Sequence, residues 1–149
     1  MKSLKIKQMK KLLFLTTILF IGIISISNAQ KVKLKKGNLL VDGKEVMTYD
    51  REDFGTQKIH LFDKNKTEQI LMIKNQNETR GYYDDDFIQI KFLQMGEMVE
   101  IKLNKSWKGI IRWLIEQKII TMDGMLNEEK IPLFVKNYDE NITKRTIRH

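Results

Sequence analysis

Between residues 88 and 103 the apolar side chains alternate with polar ones in two matched runs, and this limits the fold more than any other feature. Ile88, Ile90 and Phe92 are separated by Gln89 and Lys91, and Val99, Ile101 and Leu103 by Glu100 and Lys102. Successive side chains on a strand point to opposite faces, so each run has one dry and one wet face. The intervening Gln94-Met95-Gly96-Glu97 closes them into an antiparallel hairpin. A hairpin with one apolar face needs a larger sheet and a covering layer to bury it.

The rest of the chain supplies both. Asp42-Gly43 lies between Leu39-Leu40-Val41 and Lys44-Glu45-Val46. That pair of residues suits the positive φ angles of a two-residue hairpin turn. Lys58–Phe62 and Thr67–Lys74 flank a polar Asp63-Lys64-Asn65-Lys66 turn. The run Ile70-Leu71-Met72-Ile73 is apolar on both faces, as a central buried strand would be. Lys31, Lys33, Lys35 and Lys36 alternate with Val32 and Leu34, the pattern of a solvated edge strand.

From Ser106 the period changes from two to about 3.6. Trp107, Ile110, Ile111 and Leu114 form one helical stripe with Ser106 placed to cap it, and Ile131, Phe134, Val135, Tyr138 and Ile142 form another. Pro132 lacks a backbone donor, so the regular part of the second helix is expected to start near Ile131. The expected fold class is α+β: an antiparallel sheet of about six strands over residues 32–103, then two C-terminal helices packed on one face.

Upstream, a basic stretch (Lys2, Lys5, Lys7, Lys10, Lys11) precedes an apolar run from Leu12 to Ile26 and then Ser27-Asn28-Ala29. This is the order of a cleavable secretory signal, and the apolar run is short of the roughly 20 residues a membrane span requires. Residues 1–29 are therefore expected to be a signal peptide and 30–149 a single exported domain, periplasmic or secreted, with no transmembrane segment after cleavage. Five of the 27 Lys and Arg precede Gln30 and none of the 19 acidic residues does, so 22 basic residues face 19 acidic ones in the remainder, a net charge of +3. The basic excess that would argue for nucleic-acid binding belongs mostly to the leader.

The chain has no cysteine, which excludes disulfides and thiolate metal sites and leaves an exported domain to its core alone. Its two histidines are His60, expected on the wet face of a strand, and the terminal His149. No nucleophile, metal or phosphate-binding motif is present, so no catalytic role and no cofactor are expected. Asp63–Thr67 mimics the opening of a calcium loop, but Glu68 stands where the sharp turn requires glycine and Lys74 where a carboxylate should close it. The densest polar and aromatic cluster is Tyr82-Tyr83-Asp84-Asp85-Asp86, read as a solvated turn and as a candidate contact surface. Trp113 lies off the centre of its helical stripe, to be covered by the second helix through Leu133 or Tyr138, or else exposed as a binding anchor.

The Asn28-Ala29-Gln30 junction, the Leu40-Val41-Asp42-Gly43-Lys44 hairpin and the segments Asp123-Gly124-Met125-Leu126-Asn127 and Phe134-Val135-Lys136-Asn137-Tyr138-Asp139 together resemble small exported proteins of Bacteroidota. That resemblance implies a bacterial envelope compartment and carries over no site. The resulting expectation is a non-catalytic module that binds an envelope or secreted protein. The alternative is a periplasmic carrier of a small apolar ligand or lipid, held between sheet and helices.

Overall fold

The structure, a computed structural model, describes residues 30–76, 86–102 and 104–146. The segment 1–29, expected to be a signal peptide, and Tyr82, Tyr83, Asp84, Asp85, Leu103 and His149 lie outside the described residues.

Among the described residues seven strands pair in chain order as an antiparallel meander: β1 (Val32–Lys35), β2 (Asn38–Val41), β3 (Lys44–Glu52), β4 (Lys58–Phe62), β5 (Glu68–Asn75), β6 (Phe87–Phe92) and β7 (Glu97–Lys102). Each strand pairs with its sequence neighbour, so β1 and β7 are the edges. The basic segment forms a strand of its own because Lys36 and Gly37 take positive φ angles, 51° and 82°, and close a tight hairpin between β1 and β2. Asp42 and Gly43 do the same between β2 and β3, at 52° and 86°.

The register brings the apolar alternation into rows. Ile59, Met72, Ile90 and Val99 stand side by side across β4 to β7, and Leu61, Ile70 and Phe92 form the next row. All seven are fully buried. On the opposite face, Leu71 pairs with His60 and Lys91, and Ile73 with Lys58 and Gln89. Both are half-buried, so β5 is dry on its inner face only. A bulge in β3, where the pairing slips between Leu39 and Leu40, turns the consecutive Val46 and Met47 both into the core.

Three helices follow among the described residues: α1 (Trp107–Glu116), α2 (Ile131–Tyr138) and α3 (Ile142–Thr146). Ser106 caps α1, its hydroxyl accepting from the Gly109 N–H at 3.2 Å. Pro132 sits in the first turn of α2, where its missing N–H costs nothing. The stripe that runs from Ile131 to Ile142 does not belong to one helix, because Asp139 is extended and splits it. α1 lies against β1, and α2 and α3 lie against β7, so the helical layer reaches both edges of the sheet. Ile110, Ile111, Leu114, Ile131 and Phe134 join the strand residues in one core.

The loop between α1 and α2 is pinned at Gly124, which has a φ of 84° and lies so close to β3 that an added Cβ would fall 2.0 Å from the Val46 carbonyl oxygen. Thr121 holds the turn: its hydroxyl donates to the Asp123 carboxylate and accepts from the Met125 N–H at 3.2 Å. Among the described residues no helix is long and apolar enough to cross a membrane.

Candidate functional site

Trp113 is half-buried at the seam between α1 and α2. Its ring centroid lies 4.8 Å from Phe134 and 4.9 Å from Tyr138, and Phe134 and Tyr138 are 5.0 Å apart. Trp113 meets Tyr138 edge-on, an arrangement aromatic quadrupoles favour, and the two contacts of Phe134 are tilted. Of the two residues expected to cover Trp113, Tyr138 does so, joined by Phe134. Leu133 points outward instead and is 59% exposed. Lys105 reaches over the free side of the indole at 5.7 Å.

Beside this seam runs a groove of about 210 Å³ lined by Gln117, Ile119, Lys130, Leu133, Phe134, Asn137 and Tyr138. Its walls are mostly apolar, and Lys130, Asn137 and Gln117 supply polar groups at the rim. Tyr138, 37% exposed, is fixed there by its hydroxyl, which donates to Gln117 Oε1 at 3.2 Å. A second cavity, of about 230 Å³, is of mixed polarity and lies where β3 meets the β4–β5 turn, lined by Glu45, Val46, Met47, Thr48, Asp63, Lys64 and Lys66. The Asp63 side chain is committed to that turn, accepting from the Asn65 and Thr67 N–H groups at 2.8 and 2.9 Å.

His60 lies on the outer face, as its alternation predicts, but in company no single run of sequence reveals. Its Nδ1 is 2.7 Å from Glu68 Oε1 and its Nε2 3.1 Å from Glu52 Oε1. Lys58 Nζ also donates to Glu52, at 2.9 Å. The Lys58 bond is the largest influence on Glu52; with help from His60 it outweighs the opposing effect of burial and holds that carboxyl below its ordinary value. Glu52 is diagonal to His60 across the β3–β4 pairing, and such neighbours become visible only once the register is known. Among the described residues no group of three or more His, Cys, Asp or Glu is placed to hold a metal ion.

Of the Tyr82–Asp86 run only Asp86 is described, half-buried at the entry to β6. It is remote in sequence from Trp113, and nothing described joins the two into one surface.

A third polar constellation, absent from the sequence expectations, surrounds Glu100 on β7. Glu100 is 4% exposed, the one buried charged residue among those described. Its Oε1 accepts from Gln89 Nε2 at 3.0 Å and Thr143 Oγ1 at 2.5 Å, and its Oε2 from the Thr143 N–H at 2.8 Å. Burial alone would push the carboxyl up. The bonds from the Thr143 hydroxyl and N–H, from Gln89 and from the Ile142 backbone outweigh it and leave the group below its ordinary value.

These are structural bonds: the carboxylate is spent on tying α3 to the sheet. The helix-pair groove offers a mostly apolar floor with Lys130, Asn137 and Gln117 among its polar lining residues. Comparison with protein-family models, with curated proteins and with solved structures returns no match.

Proposed function

We propose that the protein is an exported, non-catalytic module of the bacterial envelope that binds a protein partner through the groove between α1 and α2. The carrying observation is Leu133. It is a large aliphatic side chain 59% exposed on a helix whose other face is anchored in the core, beside a groove floored by Phe134 and Ile119. Aromatic and aliphatic anchors around a shallow pocket, with a polar rim, are the composition of binding hot spots. The leader-like N-terminus supports the compartment, and the resemblance to exported Bacteroidota proteins supports the source.

The carrier alternative draws less support. Neither of these two cavities, at about 210 and 230 Å³, reaches the roughly 300–1,000 Å³ typical of small-molecule sites. The inner face of the sheet is filled by its own side chains.

Affinity purification from envelope extracts, run in parallel with wild-type protein, Leu133→Asp and a control on the far face such as Lys91→Asp, tests the reading. A partner retained by wild type and the control but lost with Leu133→Asp is expected. A partner retained equally by all three would place the contact elsewhere, and a specific turnover without any partner would overturn the module reading.

A further inference from the structure

The free edge of β7 is occupied by the chain's own C-terminal segment in the manner of a missing eighth strand. Asp139 Oδ1 accepts from the Glu100 N–H at 3.0 Å, the Glu140 N–H donates to the Glu100 carbonyl at 2.9 Å, and Glu140 Oε1 accepts from the Lys102 N–H at 3.1 Å. In an antiparallel ladder alternate residues direct both backbone groups to the same side. These bonds therefore identify Glu100 and Lys102 as the residues whose backbone faces away from β6. Residues 139–143 satisfy the Glu100 N–H and carbonyl and the Lys102 N–H without forming a strand, while the Lys102 carbonyl accepts from Asn104; they then anchor themselves by burying Ile142 and by closing Thr143 on the Glu100 carboxylate.

The edge so covered is self-complementary. If a second β7 approached antiparallel, with Glu100 opposite Lys102 of the second copy, the two-fold axis would generate the pair twice. Both residues would exchange N–H···O bonds, the Lys102 carbonyl taking the incoming N–H on its second lone pair beside the Asn104 N–H it already accepts at 2.9 Å; each carboxylate would face an ammonium, and Ile101 would meet Ile101 at the axis on the apolar face. The register centred on Glu100 would set two carboxylates opposite each other, so charge selects the former.

We propose that Asp139–Thr146 is a removable strap over a homodimerisation edge, and that its displacement lets β7 of a second copy add to the sheet through paired Glu100 and Lys102. This surface is separate from the helix-pair groove, and the two readings stand or fall independently.

The test uses the full chain isolated from expressing cells. Ile142→Asp removes the strap's buried anchor without altering β7. Sedimentation is expected to show twice the monomer mass for a variant with wild-type far-UV circular dichroism, with self-association at least tenfold tighter than wild type. Adding Lys102→Glu, which sets like charges across the axis, should return the variant to monomer. Adding Glu100→Lys as well should restore the dimer. A folded Ile142→Asp protein that stays monomeric, or a dimer indifferent to Lys102→Glu, would overturn the proposal. Should Ile142→Asp unfold the chain, the milder Thr143→Ala, which leaves Ile142 in place, is read by the same outcomes.

Discussion

Thr143 reaches across the edge of the sheet to Glu100, its hydroxyl on one carboxylate oxygen at 2.5 Å and its N–H on the other at 2.8 Å. Forty-three residues separate the two in sequence. The contact converts a charge that would be costly to bury into a fixed point for the end of the chain.

Glu100→Gln should destabilise the fold at neutral pH by about 1.5–3 kcal/mol, the usual worth of hydrogen bonds to a charged group, because an amide NH₂ would face a donor. The native carboxyl is held below its ordinary value of 4.5, so the unfolded chain binds this proton more readily. The contribution is therefore complete above the unfolded value and lost as pH falls through the native one. Urea unfolding of both proteins at pH 7 and pH 3 should show a gap at the first pH that narrows at the second.

Gly124→Ala and Gly43→Ala place the same methyl group at similar backbone angles, 84° and 86°. At Gly43 nothing lies within 4 Å, and only the left-handed conformation counts against alanine, about 1 kcal/mol. At Gly124 the methyl meets the Val46 carbonyl oxygen, adding an overpacking cost of about 1–3 kcal/mol. Denaturation midpoints should separate the two variants in that order.

Leu114→Ala should cost about 2–5 kcal/mol, since Leu114 is fully buried where α1 enters the core. Leu133→Ala should change stability by no more than about 0.5 kcal/mol, because its side chain is largely in water. Thermal and urea unfolding of both variants checks the contrast. A large loss at Leu133 would mean that it serves packing and not contact.

Ser106→Ala should cost about 1 kcal/mol through the Gly109 N–H it leaves without its cap. Chemical denaturation measures it, and Ser106→Asp, which keeps an acceptor, should recover most of the loss.

Much of the architecture was legible because it is written in short periods. The alternation at Ile88–Phe92 and Val99–Ile101 names an inner face that the register then confirms row by row. The Asp42-Gly43 turn, the Ser106 cap and the start of α2 at Ile131 are local chemistry and fall where the residues put them. The cover over Trp113 was legible in part: Tyr138 shares its helical face with Phe134, while Leu133, one residue earlier, is turned away by about 100°. The strap was not legible, because Ile142 continues the apolar spacing of α2 and masks the break at Asp139. Nor were the neighbours of Glu100 and His60, which sequence presents only as polar alternates on wet faces. Their partners arrive from other strands and from the C-terminal segment, and pairing register carries that information.

The central claim, that the C-terminal segment substitutes for a strand on β7, is tested most directly by amide hydrogen exchange on that strand. Glu100 and Lys102 point their N–H groups away from β6, yet each has an acceptor in the strap. Their exchange should be slowed to within about tenfold of the inward-bonded Val99 and Ile101. Ile142→Asp, diluted below the concentration at which it dimerises, should selectively release the Glu100 and Lys102 amides. Fast exchange at Glu100 and Lys102 in the wild-type protein, alongside protected Val99 and Ile101, would contradict the account.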